Sequence, residues 1–310
     1  MMKKLLLIIF IFILISLLSI IWFVNSIMPL GNDKSIKHFE IAPGTNAYQI
    51  GINLQNQNLI KSAIAFRIYS QITQSAKFIK PGTYELSNNL GVPQITNKLL
   101  AGPVSIWVTL PEGLRREEMA DRFIESLSLR GQEAKDFKDK FLSLTQGKEG
   151  YLFPDTYLVS KDSTPANLVK MLEDNFEKKV NSNIDKSTLI LASIIERETK
   201  SEEERPIVAG ILLKRINAGW PLQADATIQY ALGNWDPVNA DDLKIQSPYN
   251  TYLNTGLPPT PICNPGLSSI NAAKNPTQSN YWYYLHDKDG QIHYATTIDE
   301  QNANIAKYLQ

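Results

Sequence analysis

The sequence predicts an α+β protein in three parts: a single N-terminal transmembrane helix, a small α+β module and a larger α+β domain. Three observations carry that reading. Residues 5–24 form an unbroken uncharged run, LLLIIFIFILISLLSIIWFV. Strand, Pro/Gly turn and helix patterns then occur twice between 39 and 124. From about residue 150 the chain combines apolar helical stretches with aromatic, Pro/Gly-rich loops. The 310 residues hold 31 Lys+Arg against 31 Asp+Glu, a formal net charge of zero. That balance argues against a nucleic-acid binder, which carries a clustered basic excess. With 43% hydrophobic and 20% charged residues, the chain can bury a core and is no disordered tail. Cys263 is the single cysteine, which excludes an intramolecular disulfide framework and any multi-cysteine zinc site.

The apolar run comes first. Only Ser16 and Ser19 in it are polar. A helix of this length spans about 30 Å, the thickness of a bilayer core. Lys3 and Lys4 precede it, and the first acid after it is Asp33. Residues 1–4 are therefore expected as a cytoplasmic tail, with everything beyond 24 outside. Trp22 stands at the far edge, where interfacial aromatics are favoured. A cleaved signal peptide is the competing reading, but its apolar region is about 7–15 residues long and ends in small residues. The longer run and the mediocre Val24-Asn25-Ser26 site favour an uncleaved single-pass anchor in the cell (inner) membrane. No cysteine follows the run, so a lipoprotein is excluded. Residues 25–36 (NSIMPLGNDKSI) read as a linker.

Residues 37–103 form the small module. Phe39 to Thr45 is a short alternating strand stopped by Pro43-Gly44. Ala47, Ile50 and Leu54, then Ala65, Ile68, Tyr69 and Ile72, have helical spacing. Lys80 to Leu86 is a second turn and strand, and 92–101 a short helix before Gly102-Pro103. This stretch resembles the LysM-like module of envelope proteins, which binds glycan chains; a generic small α+β module is the alternative. The larger domain, 104–310, opens with alternating Val104, Ile106 and Val108. A Pro111-Glu112-Gly113 turn follows, then an amphipathic helix through Met119, Ala120, Phe123 and Ile124. Ten of the 13 tyrosines lie between Tyr151 and Tyr308, a composition suited to sugar stacking as well as to core packing.

In residues 187–199 (STLILASIIERET), Leu189, Ile190, Leu191, Ala192, Ile194 and Ile195 leave almost no polar face, the mark of a buried helix. Its end carries Glu196, Arg197 and Glu198. At about 100° per residue the two glutamates point to opposite sides: Glu196 on the stripe of Ala192 and Ser193, Glu198 on that of Ile194 and Ile195. A carboxyl among apolar groups at the negative end of a helix has its pKa raised, which suits a general acid. The helix alone leaves a second reading open, in which both acids are a helix end with Arg197 as counter-ion. The next helix is expected at 205–218, with Pro206 in its first turn and Gly219 ending it. Glu202-Glu203-Glu204 reads as its solvated entry. Residues 281–286 and 291–295 form a hairpin around Asp289-Gly290, with His286 and His293 facing each other but no third metal ligand nearby. No Gly-rich phosphate loop, G-x-S-x-G or HExxH occurs, and Cys263 has no local base.

Four segments carry a family resemblance: Gly150 to Tyr157 with Phe153-Pro154-Asp155-Thr156; Ala192-Ser193-Ile194-Ile195-Glu196-Arg197-Glu198-Thr199; Leu222-Gln223-Ala224-Asp225; and Tyr249-Asn250-Thr251-Tyr252 through Gly256-Leu257-Pro258-Pro259 to Asn264-Pro265-Gly266. In order and spacing they resemble the endolytic murein transglycosylases, the MltG or YceG-like family. Thr260 stands where many members have Gly. The resemblance implies a lytic transglycosylase with no cofactor and no metal. It would cut the MurNAc-β-1,4-GlcNAc bond inside nascent peptidoglycan strands and leave 1,6-anhydro-MurNAc ends. It also implies peptidoglycan synthases as possible partners and makes Glu196 the catalytic acid. Glu198, Gln223, Asp225, Tyr249, Asn250, Tyr252 and Asp155 are its candidate substrate-binding residues. A hydrolytic muramidase and a non-catalytic glycan-binding scaffold are the alternatives.

Overall fold

The computed structural model describes residues 2–180 and 183–309. The chain divides into two compact units, Met1–Val108 with Leu158–Asp162, and Thr109–Tyr157 with Ser163–Gln310. Each unit mixes helices with strands, so the α+β class holds.

In the first unit, helix α1 (Met2–Ile27) takes in the expected span and continues beyond it. Leu5–Ile27 is long and apolar enough to cross a membrane, at about 34 Å. Met1 lies outside the described residues, and 2–4 are already helical. The expected linker at 25–36 is short of slack. Ser26 is buried and Ile27 packs on the module's core. Lys61 Nζ donates to the Asn25 carbonyl at 3.1 Å, and the Gly31 N–H to that of Asn88 at 3.1 Å.

The module runs β1 (Lys37–Ile41), α2 (Ala47–Asn56), α3 (Ala63–Ile72), β2 (Gly82–Leu86), α4 (Val92–Ala101). Asn46 and Ser62 cap α2 and α3 by accepting the Gln49 and Ala65 N–H groups, as short polar side chains do at helix starts. In β1, Phe39 and Ile41 point inward while His38 and Glu40 point out. Strand β2 pairs antiparallel with β1, and Phe39 lies opposite Tyr84. Both are buried with Leu54, Phe66, Ile95 and Leu99 in one core. Gly82 is required: its φ is +139°, and a Cβ there would lie 2.2 Å from the Ser105 carbonyl oxygen. Strands β3 (Ser105–Thr109) and β4 (Thr156–Ser160) extend the sheet in the order β1-β2-β3-β4.

The second unit contains α5 (Arg116–Leu127), α6 (Gly131–Leu144), α7 (Pro165–Val180), α8 (Lys186–Glu198), α9 (Glu204–Asn217), α10 (Asp225–Leu232), α11 (Leu267–Lys274), β5 (Tyr283–His286), β6 (Ile292–Ala295) and α12 (Ile298–Tyr308). Helices α6 and α7 are not among the expected elements. Both carry the signature nonetheless, with Phe137 and Phe141, then Leu168, Leu172, Phe176 and Val180, buried every fourth residue.

Helix α8 is the axis of the unit. Asp185 caps it, and Leu189 to Ile195 are buried without a break. Each large aliphatic side chain so buried contributes about 1.5–3 kcal/mol. Small residues of α11 (Ser269, Ala272, Ala273) are buried where that helix packs against α8. Asn264 ties three loops together. Its Oδ1 accepts the Gly150 and Leu152 N–H groups at 2.8 and 3.0 Å, and its Nδ2 donates to Glu149 Oε1 at 2.8 Å and to the Leu114 carbonyl at 3.0 Å.

Two expectations for this unit need correction. Glu204 is not a solvated helix entry. It is 8% exposed, accepts the Lys200 N–H at 3.0 Å and pairs with His286 Nε2 at 3.1 Å. His286 and His293 do not face each other, because the register sets His286 opposite Ile292 and His293 opposite Leu285. One residue of offset sends neighbouring side chains to opposite faces, and His293 pairs with Asp287 at 2.8 Å instead.

Candidate active site

The last turn of α8 sends its two glutamates into different surroundings. Glu196 leaves the helix towards α9 and the start of α11. Its Oε1 accepts from Arg205 Nη2 at 3.2 Å, and its Oε2 from the Gly266 N–H at 2.8 Å. The side chain is 6% exposed and that of Arg205 11%. Glu196 is thus buried as expected, but among donors rather than apolar groups, with both oxygens occupied. Arg205 also stands 3.9 Å from Glu112. Burial, then the negative charge of Glu196, push the Glu112 carboxyl above its ordinary range. Arg197 is no counter-ion to either glutamate on this turn; its guanidinium lies 3.7 Å from the centre of the Trp235 ring.

Glu198 enters a separate pocket of about 380 Å³, lined by Arg215, Gln223, Asp225, Tyr252 and Tyr284 among others. Tyr284 donates its hydroxyl to Glu198 Oε2 at 3.0 Å. Burial pushes the Glu198 carboxyl up to about 7. The Asp225 carboxylate pushes the same way, while the Tyr284 hydroxyl, the Ala226 N–H and the Arg215 charge hold it back. A general acid is most effective when its pKa lies near the operating pH.

The pocket wall is built from strained and braced parts. Gln223 has φ +55°, left-handed for a residue with a Cβ, a conformation costing about 1 kcal/mol or more. The surrounding structure holds it there by a bond from its N–H to the Thr251 carbonyl at 3.1 Å. Asp225 opens α10 and accepts the Tyr252 hydroxyl at 2.5 Å, a short charge-assisted bond. Burial, then that carboxylate, push the Tyr252 phenol up. Arg215 is 7% exposed and spends its donors on backbone: Nη1 to the Leu222 carbonyl at 2.6 Å, Nε and Nη2 to that of Trp282 at 2.9 and 2.7 Å.

Four of the expected site residues, Glu198, Gln223, Asp225 and Tyr252, therefore come together. The others do not join them. Asn250 is fully buried and structural: its Nδ2 donates to the Leu243 and Ile245 carbonyls, both at 2.9 Å, and its Oδ1 accepts the Tyr252 N–H. Tyr249 shares a 2.7 Å hydrogen bond with Thr260 and packs its ring on Tyr230. Asp155 accepts from Asn175 and lies 3.8 Å from Lys179. Sequence reasoning missed Arg215 and Tyr284 as site residues. The aromatic run at 281–284 is the signal for the second; nothing local marks the first. Among the described residues no group of three or more His, Cys, Asp or Glu side chains forms a metal cage.

A family model described as the YceG-like family matches residues 39–307. A protein of Streptococcus pneumoniae (serotype 2, strain D39) named endolytic murein transglycosylase is 28% identical over 335 residues, covering 92% of this chain and 61% of its own. One of the same name from Bacillus subtilis (strain 168) is 29% identical over 311 residues, covering 90% and 86%. The chain thus spans about 61% of the pneumococcal relative's length. A crystal structure of a yceG-like protein from Listeria monocytogenes aligns with a TM-score of 0.56 at 27% identity, covering 87% of this chain and 99% of that one.

Proposed function

This chain belongs to the YceG-like family, and on that premise we propose that it is a membrane-anchored endolytic peptidoglycan transglycosylase whose proton donor is Glu198. The observation that carries the assignment is the Glu198 carboxyl: half-buried in a polar pocket and raised to about 7. The names of the pneumococcal and Bacillus relatives support the reaction class. Glu196, to which the family resemblance points in the sequence, is the weaker donor on geometric grounds. Both its oxygens already accept hydrogen bonds, one from a guanidinium. Its contacts fasten the end of α8 to α9 and to the start of α11.

In the reaction, protonated Glu198 gives its proton to the glycosidic oxygen between MurNAc and GlcNAc. The C1–O bond breaks, and positive charge develops at C1. The muramyl 6-hydroxyl attacks C1 and loses its proton to the Glu198 carboxylate, which closes the 1,6-anhydro ring and resets the acid. One carboxyl suffices. Two-carboxylate hydrolases need their second acid for a water or a covalent intermediate, and an internal hydroxyl replaces both. Asp225 keeps the proton on Glu198 by like-charge repulsion, and Tyr284 orients the carboxyl that carries it. Helix α1 serves as the anchor, with the N-terminus cytoplasmic and the enzyme outside. The strand–helix–helix–strand order of the module supports its LysM-like reading as a glycan contact. Cutting nascent strands this way would end their elongation beside the synthases.

Mass spectrometry of products from uncrosslinked glycan tests the proposal. Anhydro-ended fragments are expected from the wild type and from a folded Glu196→Gln variant, and none from Glu198→Gln. The reverse pattern would make Glu196 the acid. Reducing ends would mean hydrolysis, and full cellular function of Glu198→Gln would mean a scaffold.

A further inference from the structure

The catalytic pocket has an aromatic neighbour that the reaction does not use. Tyr283 lines the Glu198 pocket, and its ring lies 6.2 Å from that of Trp220. Trp220 in turn lies 4.6 Å from Trp282 at 37°. Trp282 is held in place: Lys214 Nζ sits 4.3 Å from its ring centre, and its carbonyl takes two Arg215 bonds. Trp220 remains 41% exposed. Its ring is braced by Trp282 and Tyr283 rather than loose, so the exposed face is a fixed apolar plate.

Beside Trp282 opens a cavity of about 560 Å³ with a polar rim from Asn217, Gln278 and Ser279. The Ser279 hydroxyl is buried and has no partner among the described residues. The cavity exists because Gly210 of α9 lets the 276–279 segment come close: a Cβ at Gly210 would lie 1.9 Å from the Thr277 carbonyl oxygen. Flat apolar faces bordered by amide and hydroxyl groups match the two chemistries of a pyranose ring, its C–H face and its equatorial polar groups. The volume falls within the usual range for a small-ligand site.

We propose that Trp220, Trp282 and the adjoining cavity form a distal saccharide subsite, which holds the glycan strand one or more sugars away from the bond cut at Glu198. The inference rests on the transglycosylase reading. An enzyme that cuts within a strand must seat sugars on both sides of the bond. The path Tyr283–Trp220–Trp282 is where aromatic surface continues out of the pocket. The occupant is the sugar backbone, since the rim is uncharged apart from Lys214, whose ammonium already serves the Ser279, Asn280 and Tyr281 carbonyls.

The test is calorimetric binding of purified peptide-free glycan strands to the full chain carrying Glu198→Gln, which prevents turnover. Adding Trp220→Ala should weaken binding about fivefold, the worth of one aromatic contact, and Trp220→Phe should restore most of it. Equal affinity with and without Trp220→Ala overturns the subsite while leaving the reaction intact. Binding of free stem peptide that Trp220→Ala abolishes, with strand binding unchanged, also overturns it. A parent protein that binds no strands, together with a wild type that makes no anhydro ends, overturns the transglycosylase reading itself.

Discussion

The pocket makes a signed prediction about pH. A general acid works only while protonated, so kcat/KM should fall as pH rises through the Glu198 value of about 7. Against an ordinary glutamate at 4.5, that value means about 3 kcal/mol in favour of the neutral form. Two neighbours set it in opposite directions, and each can be removed alone. Tyr284→Phe deletes the hydroxyl that donates to Glu198 Oε2. That bond favours the carboxylate, so its loss raises the pKa. A hydrogen bond to a charged group contributes about 1.5–3 kcal/mol, or roughly 1–2 pH units. The alkaline limb should move to about pH 8 or beyond. Asp225→Asn removes a negative charge that disfavours ionisation, so the same limb should move down, by about 1 unit. The assay is kcat/KM for anhydro-end release between about pH 5 and 10. If both variants lower activity uniformly and leave the limb where it is, Glu198 is not the titrating acid. Shifts of the same sign in both would refute the electrostatic account.

Two further predictions concern stability. Glu149 is 4% exposed, and burial raises its carboxyl to about 8. Its folded value lies above its unfolded one, so stability should fall as pH rises from about 4.5 to 8, by at most about 5 kcal/mol. Glu149→Gln should flatten that dependence in urea titrations run at several pH values. A dependence as steep as wild type would sink the claim. Asn250→Ala should cost about 2–4 kcal/mol, because it strands the Leu243 and Ile245 carbonyls. Calorimetric melting checks this, and an unchanged melting temperature would return Asn250 to the list of glycan contacts.

Local signals were legible and long-range ones were not. The helix at 92–101 stands where its spacing predicts it, and the apolar run of α8 is buried as its composition requires. The 200° divergence of Glu196 and Glu198 was also readable, being helix geometry alone. What each glutamate meets was not. Gly266 is 70 positions from Glu196, and Tyr284 is 86 from Glu198. A pKa argument from one helix treats both faces alike, and here one face meets a guanidinium and the other a phenol. The histidine pairing failed for a similar reason, since turn residues locate a hairpin without setting its register to one residue. Asn250 lies in a motif with Tyr252 and bonds its backbone, yet its side chain stays out of the pocket that the Tyr252 phenol lines, because motif membership does not separate side chains that touch a ligand from those that hold the loop.

The tight junction after α1 has a mechanical consequence. With Ser26 buried, Ile27 in the module's core and Gly31 bonded to Asn88, the described residues leave no free tether between α1 and the module. A flexible linker would let a module sample a hemisphere above the bilayer. With α1 as the proposed anchor, the module's height and facing would follow the tilt and rotation of that helix, which interfacial side chains such as Trp22 help set. The module would then act as a gauge at constant stand-off, meeting strands at one distance from the surface where they emerge. Inserting a short Gly/Ser stretch after Ile27 would turn that gauge into a tether without touching a single site residue.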